Sequence, residues 1–144
     1  MSIDFKNIVA EIDRLIRKNE WFDFHAYSLK NGHFIIAGGI DLTYSHTLEI
    51  IFENVHFHYG HTDGWHSDTS NVVFEIPEES TKLNEQFQIS QGYTLFRFNS
   101  EDTPDIYIAA SNITYNTDRV FYYYRPNLKE NERLAEFVKI DESA

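Results

Sequence analysis

The chain contains no cysteine among its 144 residues. That excludes disulfides, thiolate metal sites and cysteine nucleophiles together, and it fits a reducing compartment such as the cytoplasm. No apolar run approaches the roughly 20 residues that a transmembrane helix needs. The N-terminal stretch is charged and amphipathic, without the uninterrupted apolar segment of a secretory signal, so none is expected. Glycine-rich phosphate loops are missing as well. Gly38-Gly39 and Gly60 with Gly64 match neither the P-loop nor the dinucleotide fingerprint, and there is no Gly-x-Ser-x-Gly nucleophile elbow.

Positive charge is the most telling deficit. Lysine and arginine number 12 against 23 carboxylates, for a formal net charge of -11. Between Asn31 and Thr81 there is neither lysine nor arginine. Phosphate-backbone recognition needs clustered basic residues, so nucleic acid is excluded as a partner, and anionic membrane surfaces are disfavoured on the same ground. The cation-free stretch carries eight carboxylates (Asp41, Glu49, Glu53, Asp63, Asp68, Glu75, Glu78, Glu79) and six histidines (His33, His46, His56, His58, His61, His66). A local negative field of this kind attracts cations, either metal ions or a basic protein surface.

What the chain does have is apolar and aromatic mass. It is 42% hydrophobic and 16% aromatic, with twelve Phe and nine Tyr. That content opposes disorder despite the charge, and it favours strands. A domain of this size buries roughly 70% of the surface its unfolded chain exposes. The whole chain, 1–144, is read as a single domain.

Residues 4–18 read as a helix, with Phe5, Ile8, Val9, Ile12, Leu15 and Ile16 on one stripe and Ser2 or Asp4 as the cap. The pattern then turns to strands. Residues 21–29 and 33–38 flank Asn31-Gly32, a type I′ hairpin signal, and Gly38-Gly39 reads as a bend or bulge. A long strand is expected over 47–59, a loop over 60–68, and further strands at 71–76, 85–90, 93–98, 105–110, 112–115 and 119–125. A C-terminal helix is expected over 128–139, with Leu134, Phe137, Val138 and Ile140 on one face behind Pro126 and Asn127. The expected class is α+β. Helices at both ends flank an antiparallel twisted sheet, or a small open barrel, of about eight or nine strands.

The segment from His56 to Asp68 is the main candidate site. His56 and His58 are two apart on a strand, so unbroken alternation places both imidazoles on one face. With Asp63, His61 or His66 from the following loop they form a candidate set for zinc or another divalent transition metal. The cupin and metallo-β-lactamase histidine patterns are both incomplete here. As a protein-binding loop, the same region offers His58, His61, Asp63, Trp65, His66 and Asp68, with Trp65 as the apolar anchor and Asp63 and Asp68 as charge partners. In Phe121-Tyr122-Tyr123-Tyr124, Tyr122 and Tyr124 are expected to pack inward and Tyr123 to face solvent beside Arg125.

Two stretches carry a resemblance: Trp21-Phe-Asp-Phe-His25-Ala-Tyr-Ser-Leu29, and Leu48-Glu-Ile-Ile-Phe-Glu-Asn-Val55. A Phe-His element followed by a strand of the form Leu-x-Ile-x-Phe-x-Asn-Val is similar to small bacterial immunity-type families of polymorphic toxin systems. Those families often continue Phe-His-Asp, where this chain has Ala26. The resemblance implies a non-enzymatic, cytoplasmic inhibitor, needing no cofactor, that neutralises a basic toxin or enzyme. It carries over no functional residue. The alternatives left open are the metal site, a small barrel holding an apolar ligand, and a subunit of a larger assembly; oligomeric state is not encoded in any of these patterns.

Overall fold

A computed structural model describes residues 4–139. The first helix, α1 (Lys6–Arg17), forms where the apolar stripe predicts it, and it buries Val9, Ile12 and Ile16. The Asp4 carboxylate accepts the Lys6 N–H at 2.9 Å in front of the first turn, while Ser2 lies outside the described residues. Asn19 closes the other end by donating its side-chain amide to the carbonyls of Leu15 and Ile16.

The strands are β1 (Phe22–Lys30), β2 (His33–Gly39), β3 (Ser45–His46), β4 (Leu48–Tyr59), β5 (Trp65–Ser67), β6 (Phe74–Glu75), β7 (Thr94–Phe98), β8 (Ile106–Asn116), β9 (Arg119–Phe121) and β10 (Glu132–Leu134), with a second helix α2 (Ser80–Gln86) between β6 and β7. Seven strands form one curled antiparallel sheet in the order β5-β1-β2-β4-β8-β7-β6. A small second sheet, β10-β9-β3, pairs β3 with β9 antiparallel and β10 with β9 parallel. The fold is α+β, and the sheet is open rather than closed into a barrel.

One core fills the concave side. Phe24, Phe52, Phe74, Phe96 and Phe98 are each at most 1% exposed, and α1 covers them with Phe5, Ile12 and Ile16. Ring centroids 4.6 to 6.2 Å apart tie Phe52, Phe74, Phe96 and Phe98 into one aromatic cluster. Burial of this apolar area is the main stabilising contribution. No helix among the described residues is long and apolar enough to cross a membrane.

The β1–β2 hairpin turns at Asn31 (φ 54°) and Gly32 (φ 78°), the two positive values a type I′ turn requires. Gly38 is not a bulge. It stays in register opposite Phe24, and a Cβ there would lie 2.5 Å from the Phe22 ring. Glycine is needed because two phenylalanines lie across the backbone. The irregularities fall elsewhere, between Ala26 and Ser28 in β1 and between Val55 and Phe57 in β4.

Several expected elements differ. Residues 85–90 are not a strand: α2 ends at Gln86, and Leu83 and Phe87, four apart, put Phe87 onto Phe57 at 4.9 Å. The strand expected over 71–76 shrinks to Phe74–Glu75, and that over 119–125 to Arg119–Phe121. The two strands expected at 105–110 and 112–115 are one, β8, which runs unbroken through Ser111 and pairs with β4 on both sides of it. The described part of 128–139 holds no helix, so the second helix of the fold is α2 and not a C-terminal one. Asn127 (φ 61°) and Asn131 (φ 66°) take left-handed conformations that interrupt a right-handed helix, and Glu132–Leu134 adds to β9 instead. Ile140 lies outside the described residues.

Candidate functional site

The bulge in β4 decides the fate of the histidine pair. It inserts a residue between Val55, opposite Ala110, and Phe57, opposite Ala109, so the two-residue alternation fails there. His56 stacks on Tyr93 with centroids 4.5 Å apart, and its Nε2 accepts the Ser90 N–H at 3.4 Å. Phe57 stacks on Phe87 beside α2. His58 instead sets its ring edge-on to Phe34, a core side chain 3% exposed. His56 and His58 therefore lie on opposite sides of the sheet. Asp63 sits in a different cleft, 3.9 Å from His61 Nδ1. Among the described residues no group of three His, Cys, Asp or Glu is placed to hold a metal ion. The expected set of His56, His58 and Asp63 is not brought together.

The loop ahead of β5 also corrects its expected anchor. Trp65 is 4% exposed, stacked on Phe24 and edge-on to Phe98. Pairing of Trp65 with Phe24 in the β5–β1 ladder turns the indole inward, so it is a core residue and not a free surface anchor. Asp68 is engaged as a turn cap. It accepts the Ser70 N–H at 3.0 Å, the Ser70 hydroxyl at 2.6 Å and the Asn71 amide at 2.9 Å, and the Ser70 bonds hold its carboxyl below the usual range. His58 borders a remnant of ≈ 10 Å³ beneath Trp65, and His61 borders that remnant and a hollow of ≈ 220 Å³ beside Tyr59 and Pro104. Of the loop's charged residues, Asp63 and His66 reach a larger opening.

That opening is a cleft of ≈ 550 Å³ at the β5 edge. Asp23 and His25 enter it from β1, Asp41 from the turn after β2, Asp63 from the loop before β5, His66 from β5 and Asp102 from the turn after β7. No lysine or arginine lines it. Gly64 (φ 136°) lets the loop pass against β1, where a Cβ would meet the Phe24 carbonyl oxygen at 3.2 Å. His66 is bonded through Nδ1 to Asp23 and lies 3.4 Å from Glu101 through Nε2, while its backbone N–H donates to Asp102 at 2.9 Å. The hydrogen bond to Asp23, with slight burial opposing it, raises the His66 pKa. The His66 N–H in turn holds the Asp102 carboxyl low.

Behind His25 runs a buried polar chain that joins the two sheets. His25 Nε2 lies 2.9 Å from the Tyr122 hydroxyl, and that hydroxyl lies 2.6 Å from His46 Nδ1. His46 Nε2 lies 2.7 Å from the Glu49 carboxylate. His46 is fully buried and Glu49 is 1% exposed. The other Glu49 oxygen accepts from Asn116 at 3.1 Å and from Arg133. Burial acts to raise the Glu49 pKa, but bonds from His46 and Asn116 and the Arg133 charge outweigh it and leave the carboxyl below its usual range. Burial lowers the His25 pKa and pushes that of the Tyr122 hydroxyl up. Tyr122 thus packs inward as expected, whereas Tyr124 is 44% exposed, as is Tyr123.

Glu49 had been visible in the sequence only as one of eight acids, and His46 as one of six histidines. Their spacing of three residues around Thr47 carries no motif. The faint signal was a charged residue amid the apolar run Leu48–Phe52, a position that buries a carboxylate only if partners come with it. Of those partners, Asn116 and Arg133 are far along the chain. Comparison with family models, with curated proteins and with solved structures finds no match to this chain.

Proposed function

We propose that this chain is a non-enzymatic binding domain, an immunity or inhibitor protein of the bacterial cytoplasm, that neutralises a basic toxin or enzyme through the cleft at the β5 edge. The observation that carries this reading is the makeup of the cleft: four aspartates from four separate chain segments meet without a lysine or arginine. A surface so composed steers a basic partner electrostatically and discriminates against acidic ones. Trp21, Ile40 and Tyr44, 43% to 63% exposed, sit next to the cleft-lining Asp23 and Asp41–Thr43 in sequence and supply apolar rim contacts. The Trp21 indole N–H, bonded to the Ile40 carbonyl at 2.8 Å, fixes two of them together.

The test is retention of proteins from the source cell by the full chain and by an Asp63→Lys variant, with mass spectrometry of what is bound. A stoichiometric basic protein should be retained by the wild type, released by salt, and held at least about tenfold more weakly by the variant. Retention of the same protein equally by both chains removes the cleft from the interface. An acidic or neutral partner overturns the electrostatic reading.

A further inference from the structure

The buried chain behind the cleft has a direction, and that direction sets what the cleft binds. Glu49 is an ionised acceptor, so His46 must donate from Nε2. Arg133 already matches the Glu49 charge, and Asp118, 3.6 Å from Arg133, is partly solvated. A second positive charge, on the fully buried His46, would be left without a buried counter-charge of its own. A neutral His46 that donates from Nε2 accepts at Nδ1, so the Tyr122 hydroxyl donates its single proton there. The Tyr122 oxygen is then an acceptor, and His25 donates to it from Nε2. A neutral His25 protonated at Nε2 has its lone pair on Nδ1, the nitrogen left for the cleft that His25 lines. Each bond in the chain fixes the next.

His25 therefore offers an acceptor in an opening whose side-chain charges are otherwise carboxylates, apart from His66, which is already held by Asp23 and Glu101. A ligand matched to such a wall has several donors, no acceptor and a positive charge. Guanidinium meets all three conditions with five N–H groups in a plane. We propose that the cleft is the receptor for one arginine side chain of the basic partner, with His25 Nδ1 accepting one guanidinium N–H and Asp63 and Asp41 accepting others. Tyr122 and His46 are positioning residues: they touch no ligand and hold His25 in the accepting tautomer. This inference rests on the binding reading above and names the group that the cleft receives.

The experiment reads the site without the partner. The full chain, with its imidazole nitrogens labelled, is followed by NMR near neutral pH while N-acetylarginine amide is added, and N-acetylcitrulline amide, its neutral near-isostere, serves as control. In the free protein His25 should be protonated at Nε2 and not at Nδ1. Arginine amide should shift His25 Nδ1 while exposed His33 stays still, and citrulline amide should bind at least roughly tenfold more weakly. A Tyr122→Phe variant that keeps the wild-type amide spectrum should show mixed His25 tautomers and a roughly tenfold loss of arginine affinity. A His25 protonated at Nδ1, a doubly protonated His46, or equal shifts from arginine and citrulline overturns the proposal, and none of these needs the variant to fold. Arginine binding with no basic protein retained from the cell leaves the site standing and removes the inhibitor reading. A basic protein held through Asp63, with no arginine response at His25, does the reverse.

Discussion

At the start of β4, Glu49 is 1% exposed and bonded to His46, Asn116 and Arg133; at its far end, His56 and His58 are exposed and rest on Tyr93 and Phe34. His46, just ahead of β4, and the two histidines at its far end are thus used differently. At the first end the second sheet folds over β4: β3 and β10 bring His46 and Arg133 to one carboxylate, and Tyr122, just after β9, bonds to His46. At the second end the second sheet does not reach the strand, and the bulge sends neighbouring imidazoles to opposite sides. What makes a histidine part of a network is the element laid across it, more than the density of histidines around it.

The sharpest way to break this contrast is to remove Glu49. Glu49→Ala strips the shared acceptor from three buried or half-buried donors, and a buried donor left unsatisfied, as His46 would be, costs about 1–3 kcal/mol. Urea denaturation should show that loss, whereas Glu78→Ala, in a polar turn, should change stability by about 0.5 kcal/mol or less. A Glu49→Ala chain as stable as the wild type would mean that the chain of bonds behind His25 is not formed in solution.

The fold was readable where one residue type has one structural use. Asn31-Gly32 meets the dihedral demand of its turn, and the apolar steps from Phe5 to Ile16 build α1. It was unreadable where tertiary contacts choose between periods. Phe87 and Ile89 alternate as a strand would, yet the sheet offers Phe57 and Tyr107 as a platform and the segment winds into α2 to reach it. The cleft was legible in part. Asp63 and His66 stood out within the histidine-rich loop, but Asp23, His25 and Asp102 come from elements far apart in the chain. Trp65 was misread because an aromatic in a polar loop looks exposed until its pairing with Phe24 is known. The bulge at His56 leaves no mark in a run of alternating residues.

A smaller effect separates the two cleft histidines by pH. His66 has a raised pKa in the folded chain, through its bond to Asp23. Its stabilisation is complete below the ordinary value near 6.5 and is lost as pH rises from there through the folded value. His25 has a lowered pKa, chiefly through burial. Its contribution is present above about 6.5 and is lost as pH falls through the folded value. Stability should therefore decline on both sides of about pH 6.5. His66→Gln should remove the decline on the alkaline side and His25→Gln the decline on the acid side, as read from denaturation midpoints across pH. A His66→Gln chain that keeps its alkaline decline would show that the clasp to Asp23 does not hold the proton.

The smallest effect lies at the exposed end of β4 and tests the bulge itself. His56→Ala and His58→Ala should each cost on the order of 1 kcal/mol or less, since each ring loses one aromatic contact and remains half in water. Side chains on opposite sides of a sheet share no partner, so the double substitution should equal the sum within about 0.5 kcal/mol. Added Zn²⁺ should stabilise the wild type and the His58→Ala chain by the same amount, since no metal joins the two rings. A coupling energy well above that margin, or a zinc effect that His58→Ala abolishes, would mean that the two imidazoles face each other after all. Unbroken alternation would then run through His56, and the contrast between the two ends of β4 would collapse.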